Sequence, residues 1–122
     1  MAEPNSLLRL YRGDRRLNDF LRHWATAPLG ERVALSGAAG SLPALVAASA
    51  LTELKQTIVV LRSDKEEAAY FLNDLEKLLP QGSVLFFPDS YRRPYADRDQ
   101  TDNSNIGLRA EVLDRLRGDQ PV

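Results

Sequence analysis

Three short apolar runs, each followed by a segment with helical periodicity, constrain the fold of this chain most strongly. The runs are ERVALSG, QTIVVLRS and GSVLFFP, at residues 31–37, 56–63 and 82–88. β-Branched and aromatic residues favour extended backbone, and continuous apolar runs are typical of strands buried on both faces of a parallel sheet. Strands that alternate with helices predict parallel pairing through right-handed crossovers. The sequence therefore predicts an α/β fold, a three-layer parallel sheet with helices on both faces.

Helical patterns lie between and around these runs. Residues 5–25 are predicted to be helical, with Asp14 as an N-cap for the segment that follows it. Another helix is expected over about 41–54, and the next begins at a capping box formed by Ser63 and Glu66. That helix is expected to bury one apolar face, which comprises Ala68, Phe71, Leu72, Leu75, Leu78 and Leu79.

A last helix is expected to turn four residues inward, Leu108, Val112, Leu113 and Leu116, and to stop at Gly118. We divide the chain into an N-terminal helical segment, 1–30, and an α/β domain, 31–122, that is truncated at its C-terminus. The truncation is expected because a helix that has returned to a sheet normally leads into another strand.

Composition excludes several classes of function. With 122 residues, 43% of them hydrophobic, the chain is expected to form one compact domain, and its net charge of −1 provides no general attraction to nucleic acid. The absence of cysteine and the single histidine, His23, exclude thiolate zinc sites and a cysteine nucleophile. No secretory leader or membrane span is recognisable, so a cytoplasmic location is expected.

A glycine turn follows the first apolar run and resembles a phosphate-binding P-loop that has lost its chemistry. Gly37 and Gly40 are followed by Ser41, a candidate N-cap, and then by Pro43 and Ala44. A working P-loop has Lys and then Ser or Thr at the last two positions, for the phosphates and for magnesium. Proline is neutral and alanine has no hydroxyl, whereas proline suits the first turn of a helix. We therefore expect neither ATP hydrolysis nor a bound cofactor.

An alternative interpretation is the NAD(P)-binding Rossmann-type domain of a short-chain dehydrogenase-like protein. SGAAGSLP resembles the G-x-x-G-x-x-G turn of such enzymes, and RSD at residues 62–64 is placed to meet a ribose or its 2′-phosphate. Against this alternative, Pro43 stands at the third glycine, and the chain contains no Tyr-x-x-x-Lys pair.

The polar loop after the third run combines cations with aromatic rings. Such a composition suits phosphate contact and base stacking, which makes five residues candidates for nucleic-acid or partner contact: Tyr91, Arg92, Arg93, Tyr95 and Arg98. Acidic residues interrupt the loop and nearly cancel its charge, namely Asp89, Asp97, Asp99 and Asp102. Any contact with DNA is therefore expected to be weak or indirect, and a solvated loop is the simpler interpretation.

Four segments in this order and spacing resemble the N-terminal part of bacterial transcription-repair coupling factors. They are LSGAAGSLPALVAASA, TIVVLRSDKEEAAYFLNDLEKLL, VLFFPDSYRRPY and NSNIGLRAEVLDRL, and the resemblance covers roughly residues 14–120. That part of the family is similar to the helicase-like first domain of the excinuclease B subunit. The excinuclease relative would have Gly-Lys-Thr at the turn, where this chain has Leu42, Pro43 and Ala44.

The resemblance implies a degenerate, helicase-like P-loop fold and a non-catalytic role as a scaffold and interaction module. The complete protein would displace RNA polymerase stalled at a DNA lesion, with ATP hydrolysis in downstream domains. It would recruit excision repair through the excinuclease A subunit, whose main contact in the family lies in the next domain. No residue of this chain is assigned to that contact.

Overall fold

The computed structural model describes residues 5–89, 103–118 and 121–122. This part of the chain contains five helices: α1 Asn5–Arg12, α2 Arg15–Thr26, α3 Leu42–Leu54, α4 Lys65–Leu78 and α5 Asn103–Leu116. None of the peptide bonds described is cis. The architecture is a helical body formed by α1 to α4, with α5 apart from it.

The predicted three-layer α/β fold is wrong, because the described residues contain helices but no strand and no sheet. The three apolar runs lie in segments without regular secondary structure, at 31–36, 55–62 and 84–89, and among the described residues no backbone hydrogen bond joins these segments. β-Branched side chains favour extended backbone locally, whereas a sheet also requires neighbouring backbones to exchange hydrogen bonds. An apolar run does not specify which other segment will lie beside it and pair with its backbone. The predicted helicase-like P-loop fold requires the same sheet, so that prediction is wrong as well.

The N-terminal helical segment is divided into two helices. The turn at Gly13 closes with a hydrogen bond from its N–H to the Leu10 carbonyl, 3.3 Å long. Asp14 then caps α2, as predicted, by accepting a hydrogen bond from the Leu17 N–H at 3.0 Å. The predicted domain boundary near residue 30 stays a prediction.

Helix α3 is the centre of the core. It is apolar except at Ser49, Thr52 and Glu53, and α1, α2 and α4 all pack against it. Ala44, Ala48 and Ala50 are almost fully buried, and their small side chains let neighbouring helices approach closely. The core cluster also contains Leu45 of α3, Leu8 of α1, Leu75 and Leu78 of α4, and Leu79 directly after α4.

Helix α4 confirms its predicted apolar face, but its cap lies one residue later than predicted. Leu75 and Leu78 are buried, and the helix ends before Pro80. Its N-cap is Asp64, whose carboxylate accepts a hydrogen bond from the Glu67 N–H at 2.8 Å. The Ser63 hydroxyl instead donates to the Glu67 carboxylate at 2.6 Å, so the predicted box of Ser63 with Glu66 is corrected.

Helix α5 does not bury the residues that its pattern assigned to the interior. Leu108, Leu113 and Leu116 are exposed, and within the described residues α5 packs against none of the other helices. Two arginines attach it to the segment around residues 82–88. Arg109 donates to the Pro88 carbonyl and Arg115 donates to the Gly82 carbonyl, each at 3.0 Å.

The C-terminus of α3 makes a stability prediction possible, because Lys55 adopts a left-handed conformation with φ 52°. Lys55→Gly is expected to raise the free energy of unfolding by about 0.5–1 kcal/mol, since glycine adopts this conformation without steric cost. Urea denaturation measures the change. Lys55→Ala is the matched control, because it removes the charge and keeps the strain. Equal stability of the two variants would contradict the prediction.

The cap of α4 gives a second prediction. Asp64→Ala is expected to lower the free energy of unfolding by about 1 kcal/mol, because the Glu67 N–H loses its acceptor. Asp64→Asn keeps an acceptor oxygen and is expected to retain most of the stability. Thermal denaturation of both variants followed by circular dichroism tests this. A loss of equal size in both variants would assign the effect to charge and refute the cap.

Candidate functional site

The glycine turn before α3 has the backbone that only glycine adopts freely. Gly37 and Gly40 have φ values of 78° and 60°. A Cβ built on either glycine meets no atom within 4 Å, so conformation, and not close packing, requires glycine there. Ser41 occupies the N-cap position of α3, as the sequence suggests, but its side chain makes no capping hydrogen bond.

The residues after this turn belong to the core. Pro43 lies in the first turn of α3, where its missing N–H costs little. Ala44, at the position where a P-loop hydroxyl would hold magnesium, is only 1% exposed. The chain also has no charged side chain between Arg32 and Glu53. The turn therefore presents backbone groups and the exposed hydroxyls of Ser36 and Ser41, with no cation from the segment 33–52 and no hydroxyl at the magnesium position.

The residues proposed for a nicotinamide cofactor are engaged in other contacts. The Arg62 guanidinium lies over the Phe71 ring, 5.0 Å from its centroid, and its Nη2 is 3.6 Å from a carboxylate oxygen of Glu67. The Asp64 carboxylate caps α4. The Rossmann-type alternative also requires a parallel sheet, which the described residues lack.

The remaining polar candidates are exposed. The His23 Nε2 lies 3.2 Å from the Glu31 Oε1, a surface contact between α2 and the segment 31–36. Within the described residues, no group of three or more His, Asp or Glu side chains is arranged to hold a metal ion. The loop candidates Tyr91, Arg92, Arg93, Tyr95 and Arg98 lie outside the described residues.

The most distinctive surface is an apolar cavity of about 720 Å³ that separates α5 from α3 and α4. Leu51 and Phe71 line it on the side of the helical body, and Val112 and Leu116 line it on the side of α5. The segments at 57–62 and 84–88, which have no regular secondary structure, also contribute to its walls. We refer to this space as the interlayer cavity.

Side chains that the sequence assigned to buried strands are exposed at this cavity. Val59 is 77% exposed, Leu61 88% and Phe87 47%, and all three line the cavity. Isolated exposed apolar residues are ordinary, whereas several exposed apolar residues beside one apolar cavity make that cavity the candidate binding surface. Sequence analysis missed these three residues, because runs that are apolar on both faces contain no signal that one face stays uncovered.

Comparison with known proteins identified no relative of this chain. No protein-family model matches the chain, and no curated protein and no solved structure is significantly similar to it. Among the helices of the described residues, none combines the length and the apolar character needed to cross a bilayer.

The buried position of Ala44 gives a prediction for the glycine turn. Titration with magnesium-ATP in a calorimeter is expected to give no binding heat. Pro43→Lys is expected not to restore binding, because an added ammonium group leaves the magnesium position inside the core. Pro43→Ala controls for the loss of proline. Saturable binding by the wild-type chain, or by the lysine variant alone, would show that the turn still cradles phosphate.

Proposed function

We propose that this chain is a non-catalytic scaffold and interaction module of a transcription-repair coupling factor, acting in the cytoplasm. The observation that supports a binding role best is the exposed apolar surface at Val59, Leu61 and Phe87 beside the interlayer cavity. Covering apolar surface contributes roughly 25 cal/mol per Å², so such a surface favours association with another polypeptide.

Two further observations support a module that binds but does not catalyse. The position equivalent to a P-loop hydroxyl is buried as Ala44, and the position equivalent to its lysine is Pro43. Arg62 and Asp64 are engaged with α4, so they offer little to a dinucleotide. No observation favours the dehydrogenase alternative.

The connection to transcription-coupled repair rests on the four sequence segments that resemble the family. The fold that this resemblance implied is corrected above, so the assignment depends on those segments together with the exposed surface. In the longer protein that this proposal requires, other domains would hydrolyse ATP and displace RNA polymerase. The module would support recruitment of the excinuclease A subunit, and direct DNA contact through the loop from Tyr91 to Arg98 stays a prediction.

A test in that longer protein separates scaffold from motor. Removal of residues 31–122 is expected to preserve ATP-dependent displacement of stalled RNA polymerase and to reduce capture of the excinuclease A subunit at least tenfold, about 1.4 kcal/mol. Displacement is followed on an immobilised, stalled transcription complex, and capture by surface plasmon resonance. Pro43→Lys in the intact protein is the control and is expected to alter neither activity. Unchanged capture after the deletion would refute the proposed function.

A further inference from the structure

Helix α5 has an apolar side that its surroundings cover only in part. Val112, Leu113 and Leu116 line the interlayer cavity, and Leu113 and Leu116 are 54% and 47% exposed. Within the described residues, α5 packs against none of the other helices. Most of the stability of a helix in a protein comes from packing of its apolar side, so α5 lacks much of that stabilisation where it lies.

A second uncovered apolar surface of the same chain lines the same cavity. Val59 and Leu61 are 77% and 88% exposed, and both contribute to the cavity wall. Two apolar surfaces that share a water-filled space are driven together, because contact between them removes both from water. The chain therefore contains, in α5, a segment that is able to cover its own exposed surface.

The attachments of α5 permit such a movement. The Arg109 side chain donates to the Pro88 carbonyl and the Arg115 side chain donates to the Gly82 carbonyl, each at 3.0 Å. Both acceptors belong to one segment, 82–88, and the two donors are separated along the helix by about 9 Å, at 1.5 Å per residue. Two long, flexible side chains thus attach α5 along a single line. Rotation about such a line is a hinge motion.

The chain that follows α5 limits how far the helix moves away. The carbonyl oxygen of Val122 accepts a hydrogen bond of 2.9 Å from the Ile58 N–H, and Val122 is half-buried. Six residues separate Leu116 from Val122, a length of chain that spans roughly 20 Å at most. The end of α5 is therefore held near the segment that contains Val59 and Leu61.

We propose that α5 is an intramolecular cover for the interlayer cavity, which rotates about its attachments to 82–88 and packs Leu113 and Leu116 onto Val59 and Leu61. The open form, described above, presents the apolar surface to a partner, and the closed form covers that surface with the chain's own helix. This inference rests on the proposed binding function and specifies how the same surface is regulated. A partner that binds the open form shifts the population toward it.

Disulfide trapping tests closure, because the chain has no cysteine of its own. In Leu61→Cys/Leu113→Cys, a disulfide requires the two Cα atoms to approach within about 7 Å. Leu61→Cys/Glu111→Cys is the matched control, since Glu111 is exposed and lies on the opposite side of α5 from Leu113. Under mild oxidation the first pair is expected to form an intramolecular disulfide about tenfold faster than the control. Equal rates, measured by mass spectrometry, would overturn the proposal.

A charge on α5 tests whether apolar contact drives closure. Leu116→Glu, added to the first cysteine pair, is expected to slow disulfide formation about tenfold, because the closed form would bury an unpaired carboxylate. Leu29→Glu is the control and is expected to leave the rate unchanged, since Leu29 is exposed but does not line the cavity. Circular dichroism checks that both variants keep the parent helical content. A rate that Leu116→Glu does not alter would overturn the proposal.

The apolar dye 8-anilinonaphthalene-1-sulfonate tests whether closure covers the surface. The oxidised form of Leu61→Cys/Leu113→Cys is expected to bind the dye about tenfold more weakly than its reduced form, because the disulfide holds the cavity closed. Both forms contain the same substitutions, so the comparison isolates closure. Equal dye binding would overturn the proposal. A disulfide between two chains, in place of one within a chain, would identify a second copy as the cover and overturn it as well.

The proposed function is judged separately, by excinuclease A capture. Rapid cross-linking of the first cysteine pair, together with unchanged capture after deletion of 31–122, would support the cover and refute the function. Lost capture after that deletion, together with equal cross-linking of both cysteine pairs, would support the function and refute the cover.

Discussion

Burial of α3 among its three neighbours is the interaction on which the rest of the molecule depends. Because α3 is predominantly apolar, it is stable only when other helices cover it on several sides. Its alanines, Ala44 and Ala48 above all, allow α1, α2 and α4 to approach closely enough to do so. The glycine turn that precedes α3 therefore has to lead the chain directly into a helix that is buried in the core.

This packing requirement explains why the turn has the glycines of a phosphate-binding loop but lacks the lysine and the hydroxyl that bind phosphate and magnesium. Positive φ values at Gly37 and Gly40 redirect the chain, and Pro43 begins the helix at low conformational cost. The next residue enters the core as Ala44, where a hydroxyl would be buried and metal would have no access. Packing thus requires a small apolar side chain at residue 44, whereas a phosphate site requires an accessible hydroxyl there. Alanine meets the packing requirement and not the other.

The part of the structure around α5 differs from the helical body, because apolar side chains there stay uncovered. Helix α5 is held by arginine contacts to carbonyl groups and by the stack on Phe87, and it packs against none of the other described helices. The resulting cavity exposes apolar side chains, among them Val59, Leu61 and Phe87. This exposed apolar surface is the observation on which the proposed scaffold role rests.

Sequence by itself determined the local features of this protein. It located the helices, the caps at Asp14 and within one residue of Asp64, and the apolar face of α4, because each depends on residues a few positions apart. It wrongly predicted strands at the three apolar runs, which have no regular secondary structure. Only the tertiary structure decided that these runs form no ladder in the described residues and that Val59 and Leu61 stay exposed. Strand pairing depends on residues distant in sequence, and an apolar run contains no information about which backbone, if any, will lie beside it.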